Sequence, residues 1–97
     1  SLDIPANLVK SVNVCSPNPF MDFTEFRKPK NSSATSRLEI YDMNGKRVSE
    51  LSFAGKEVIQ WNGTDPSGNA VPGGLYFYRI LDHQNPVIYT GKILRIK

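Results

Sequence analysis

Residues 61–80 read WNGTDPSGNAVPGGLYFYRI, and the change of character within them decides the fold. Asn62-Gly63, Asp65-Pro66, Ser67-Gly68 and Gly73-Gly74 each supply turn geometry. Glycine accepts positive φ, and proline pre-sets φ at a turn's first corner. No helix can run through such a segment. Beyond it, LYFYRIL places Tyr76, Tyr78 and Ile80 on one face and Leu75, Phe77, Arg79 and Leu81 on the other. Aromatic and branched side chains suit a pleated surface, so this is a strand entered through a tightly folded loop.

Working outward, strand-like runs recur near 8–14, 20–27, 36–42, 46–52, 56–61, 75–82 and 87–97, and no helical apolar stripe persists over ten residues. SPNP breaks the chain after the first run. MNG joins the third and fourth in hairpin style, FAG the fourth and fifth, and HQNP the last two. Short strands at this spacing predict an all-β fold, an immunoglobulin-like antiparallel β-sandwich of about seven strands. The expected core is Val12, Val14, Phe26, Leu38, Ile40, Val48, Leu51, Ile59, Trp61, Tyr76, Tyr78, Ile80, Leu94 and Ile96, with Trp61 and Ile59 on one face of their strand.

Ninety-seven residues suffice for one domain with one core. A hydrophobic fraction of 39% with 22% charged residues separates the chain from disordered and membrane classes. No run approaches the roughly 20 apolar residues of a bilayer span, so direct membrane insertion is not expected. The net charge of +3 would suggest nucleic acid only if gathered on one surface, and no nucleic-acid partner is expected. Three cations, Lys92, Arg95 and Lys97, do fall together in GKILRIK. Alternation spreads them over both faces of a terminal strand, where they read either as solvated edge charges that discourage aggregation or as a recognition tail. The opening SLDIPANLVK has no initiating methionine, charged n-region or apolar h-region, and reads as a piece cut from a longer protein.

Chemistry is sparse. Cys15 is the only cysteine, which excludes an intradomain disulfide and a thiolate metal cluster, and His83 is the only histidine. Nothing in the sequence brings these two together, and no catalytic residue, cofactor or metal is expected. GGLYFY leads into a strand, whereas a phosphate loop needs a helix N-terminus. Asn62, Thr64, Asp65, Ser67 and Asn69 have ligand-like spacing, but a single carboxylate makes turn capping the better reading than calcium. Ten aromatic side chains could stack on a sugar or base, yet two sheets need about as many to fill one core. NSS at 31 and NGT at 62 match the glycosylation acceptor pattern and are also ordinary turns.

The order SPNPF, LEIYDMNGKRVSEL, WNGTDPSGNAVPGGLYFYRI and terminal GKILRIK resembles the C-terminal sorting domain of proteins exported by the type IX secretion system (Por secretion system) of Bacteroidetes. The middle portion also resembles the immunoglobulin-like domain of flagellar hook-capping proteins. The sorting-domain resemblance covers residues 12–97 and leaves 1–11 as linker or first strand. It implies a non-catalytic secretion signal that carries an N-terminal cargo domain of the same chain from the periplasm to the cell surface. The implied partners are the type IX translocon, an outer-membrane shuttle protein and a cell-surface sortase that usually removes the domain. Gly91, Lys92, Ile93, Leu94, Arg95, Ile96 and Lys97 match the recognition segment. Pro17, Asn18, Pro19, Phe20, Tyr41, Asp42, Gly45, Trp61, Gly74 and Tyr76 match positions that hold the fold, and Cys15 stands where the family commonly has a tyrosine or another bulky residue. The alternative is a permanent immunoglobulin-like accessory or adhesion module of a secreted surface enzyme.

Overall fold

The alternation in LYFYRIL becomes the middle strand of a β-sheet. The computed structural model describes residues 9–30, 32–82 and 85–96, with the backbone alone at 85 and 86. Within them run β1 (Val9–Ser11), β2 (Cys15–Ser16), β3 (Thr24–Arg27), β4 (Arg37–Tyr41), β5 (Arg47–Ser52), β6 (Val58–Trp61), β7 (Gly74–Asp82) and β8 (Asn85–Arg95). One sheet has the order β1-β8-β7-β4-β5 and the other β2-β3-β6. This is an immunoglobulin-like β-sandwich, antiparallel at every pairing except β1 with β8.

Eight strands form where about seven were expected, because the chain changes sheet after β1 and forms a further short strand at Cys15–Ser16, just past the expected run at 8–14. β1 pairs with β8 in the large sheet and β2 with β3 in the small one. Between them the Val12 N–H donates to Thr90 O at 2.8 Å, while Val14 O accepts from the Arg27 N–H at 3.0 Å. The phenol of Tyr78 holds this crossing: its hydroxyl accepts from the Val14 N–H and donates to Val12 O, both at 3.2 Å. Burial pushes the Tyr78 pKa up to about 12. Gly91 makes room for the ring, since a Cβ there would sit 2.3 Å from the Tyr78 hydroxyl. Two other expectations change. The FAG link carries the chain from β5 in one sheet to β6 in the other, and the run at 20–27 is a strand only from Thr24.

The core lies between the sheets. Phe26 meets Tyr78 edge-on at 5.0 Å, Trp61 meets Tyr76 at 5.9 Å, and Phe20 is tilted against Trp61 at 5.6 Å. Leu38, Ile40 and Ile80 are buried as expected, and Val12, Val14, Val48, Leu51 and Ile59 pack around them half-buried. Cys15, Phe53, Val71, Tyr89 and Ile93 join the core unanticipated. Leu94 and Ile96 do not, being 41% and 48% exposed.

One turn is built twice. In DMNGK and DPSGN the aspartate N–H donates to the carbonyl four residues on, and its Oδ1 accepts the N–H groups two and four residues on. The glycines take φ of 82° and 88°, which a side chain rarely adopts. The single carboxylate of the oxygen-rich loop, Asp65, therefore serves its own turn.

Candidate functional site

The seven residues singled out at the end of the chain occupy the second half of β8 and the residues after it. Lys97 lies outside the described residues, as does His83. β8 is no edge strand. It lies between β1 and β7, with Leu94 opposite Leu75, Ile93 opposite Tyr76 and Lys92 opposite Phe77. Strand alternation then sends Ile93 and Arg95 inward and Lys92, Leu94 and Ile96 outward. The expectation was one residue out of phase: the alternation is present in the sequence, but a basic residue was assigned to water and leucine and isoleucine to the core.

Arg95 is only 8% exposed. Its terminal nitrogen donates to Gly63 O and Val71 O, each at 2.7 Å, and its guanidinium lies 6.0 Å from the centre of the Phe20 ring. Gly63 is required here, since a Cβ would stand 2.7 Å from the guanidinium, and its φ is +72°. One turn of the glycine- and proline-rich loop is therefore tied to the end of the chain. The reading of Arg95 as a solvated edge charge is corrected: a guanidinium whose donors meet two inward carbonyls can be buried, although its Nε finds no partner among the described residues. Trp61 fixes the same loop from beneath, with Nε1–H donating to Thr64 O at 2.9 Å, and Tyr76 donates its hydroxyl to Pro72 O.

SPNPF closes the flank of β8 beyond the end of β1. The Asn18 amide acts as a miniature strand, its Nδ2 donating to Lys92 O at 2.8 Å and its Oδ1 accepting the Leu94 N–H at 3.0 Å. Phe20 continues the ladder, donating to Leu94 O at 3.0 Å and accepting from the Ile96 N–H at 2.8 Å. The Ser16–Pro17 and Asn18–Pro19 bonds are cis. Pro17 O accepts the buried Thr24 hydroxyl at 2.8 Å. Cys15 lies under the same corner as a small buried hydrophobe, and burial raises its thiol pKa.

The outward face of the large sheet carries charge. Glu39, 5% exposed, accepts from Arg79 Nε and the Tyr41 hydroxyl at 2.7 Å each, with Arg47 at 3.4 Å and Arg37 at 3.9 Å. Arg79 also lies 5.2 Å from the centre of the Tyr41 ring. Sequence reasoning missed Glu39, because only the β4–β7 register sets it opposite Arg79. Burial alone would raise its pKa, but the hydrogen bonds from Tyr41 and Arg79, with the Arg79 and Arg37 charges, hold it below the ordinary 4.5. A carboxyl lowered by folding adds stability above its unfolded pKa and loses it as pH falls through the lowered value. Glu39→Gln should therefore cost about 1 to 2 kcal/mol at pH 7, discounted for the half-exposed arginines. The deficit should shrink below pH 4 in urea titrations, and a deficit independent of pH would refute the assignment.

An immunoglobulin-like sandwich whose last described strand is clamped by β7 on one flank and by an N-terminal strand and a proline-rich corner on the other is thus the class this chain defines. It belongs to the FlgD Ig-like domain family, whose sequence model matches residues 24–84. Among solved structures the fold is similar to PorZ, described as an essential bacterial surface component of the type-IX secretion system of Porphyromonas gingivalis. That likeness has a TM-score of 0.69 at 20% identity, over 86% of this chain and 11% of PorZ. Dimeric latent PorU from Porphyromonas gingivalis is similar with a TM-score of 0.63 at 22% identity, over 86% of this chain and 9% of PorU. The chain thus spans about a tenth of either protein's length. No curated protein matches it.

Proposed function

We propose that this chain is a non-catalytic secretion signal. It directs a cargo domain attached N-terminally through the type IX outer-membrane translocon, by way of the periplasm, to the cell surface, where a sortase removes it. The observation that carries this reading is the clamp. SPNPF and GKILRIK both lie outside the span matched by the FlgD Ig-like family, one on each side, and they are the segments that narrow the sequence resemblance to a sorting domain. Four hydrogen bonds from Asn18 and Phe20 join them into one unit. The fold likeness to domains of PorZ and PorU supports the same reading. The family match by itself would equally support a permanent accessory module.

The test is a fluorescent reporter exported to the periplasm with residues 1–97 fused to its C-terminus, in a type IX-competent host and in a strain lacking the translocon. Protease-accessible reporter should appear on the surface of the first strain and stay periplasmic in the second. A folded fusion that remains in the periplasm of the competent strain would overturn the proposal.

A further inference from the structure

β8 has an inner face, two backbone flanks and an outer face. The inner face is committed to the core through Ile93 and Arg95. One flank is paired with β7, and the other is closed by β1, Asn18 and Phe20. A partner that leaves the domain folded cannot add a strand to β8 where these bonds stand, nor read Arg95. It can read only what points outward.

The outward side chains form a continuous surface. Leu94 faces Leu75 and Lys92 faces Phe77 across the β8–β7 pair, and Tyr41 faces Phe77 across the β7–β4 pair. Phe77, Leu94 and Ile96 are all exposed. Over Phe77 and Lys92 the face deepens into a groove, walled by the Asp42–Gly45 turn with Met43 on one side and by Ser11–Asn13 and Asn18 on the other. Met43 is among the most exposed large apolar side chains of the described residues. Such a cluster of aromatic, leucine and methionine side chains on one sheet face marks an interaction surface.

Charge selects the occupant. The outer face carries Arg37, Arg47, Arg79 and Lys92 against Glu39 and Glu50, with the Asp42 carboxylate in the groove wall turned to the N–H groups of its own turn, and Lys92 forms no ion pair with any described residue. A second copy docked by two-fold symmetry would face the same cationic surface with its own. We propose that the outer face of β7 and β8, centred on Phe77, Lys92 and Leu94, docks a protein partner that presents an apolar patch edged by carboxylates. The inference rests on the secretion-signal reading and names the surface that would deliver it.

The experiment uses the reporter fusion described above. Phe77→Thr/Leu94→Thr removes the apolar centre while keeping strand preference, and Lys92→Glu reverses the charge. Arg27→Thr, exposed on the small sheet, is the control. Melting temperatures of the purified fusions separate docking from folding. Both outer-face variants should lose on the order of tenfold in surface display, with melting temperatures within a few degrees of the parent, while Arg27→Thr is displayed normally. A photo-crosslinking phenylalanine analogue at position 94, but not at 27, should yield an adduct with a different protein, weakened by Lys92→Glu.

Parental display with outer-face variants exported within about twofold leaves the secretion reading standing and sinks the docking face. A protease-resistant glycan or lipid adduct, an adduct of two fusions, or no adduct at position 94 overturns the protein partner. Should the parent itself not be displayed, the secretion reading falls and the docking face with it.

Discussion

Arg95→Gln should lower unfolding free energy by about 2 to 4 kcal/mol, a large part of the 5 to 15 typical of a domain. Two opposing effects set this figure. The substitution relieves the desolvation cost of a buried guanidinium that has no carboxylate beside it among the described residues. Against that, it strands Val71 O and leaves Gly63 O with only the Val71 N–H at 2.8 Å, where both now accept charge-assisted bonds of 2.7 Å, and it empties the space over the Phe20 ring. Loss of buried hydrogen bonds wins because Gly63 and Val71 are both buried with the loop in place. Lys92→Gln, on the outward face, should stay within roughly 0.5 kcal/mol of the parent. Urea denaturation of the two variants measures the contrast, and equal midpoints would show that Arg95 does not hold the loop.

Trp61→Ala should cost about 3 to 5 kcal/mol. Trp61 is among the largest fully buried side chains described and lies against both Phe20 and Tyr76. Truncation therefore opens a cavity between two rings that the sheets hold apart, and frees Thr64 O from its indole donor. The parent should emit at short wavelength and shift red on unfolding. Water-exposed emission from the native protein, or a variant as stable as the parent, would place the indole outside the core.

The two predictions also mark what the sequence could convey. Trp61, Tyr76, Tyr78 and Ile80 were legible because turn residues bound their strands and alternation then fixes their faces. Both aspartate turns were legible too, since Asp and Gly three apart carry their own geometry. Arg95 was not. Deciding the phase of KILRI requires knowing that Gly63 and Val71 offer carbonyls to the inner face, which is a tertiary fact. The change of sheet between β1 and β2 was hidden for a similar reason: VKSVNV holds no glycine or proline to mark a break, and only the Tyr78 hydroxyl shows where the chain crosses. Glu39 likewise depends on a register that no local pattern carries.

The clamp on β8 has a consequence for timing. Among the described residues β1 has no neighbour in its sheet other than β8, and the Asn18 and Phe20 contacts described above also wait for it. Segments separated by more than seventy positions must therefore meet late, after the intervening chain has emerged and loop-closure entropy has been overcome. The Leu75–Leu94 and Phe77–Lys92 pairs are closer in sequence, but they too need β8 and come into being only once nearly the whole chain has emerged. A receptor that grips those pairs would be blind to half-made chains, so the same surface that provides an address would also report that the last strand has been made.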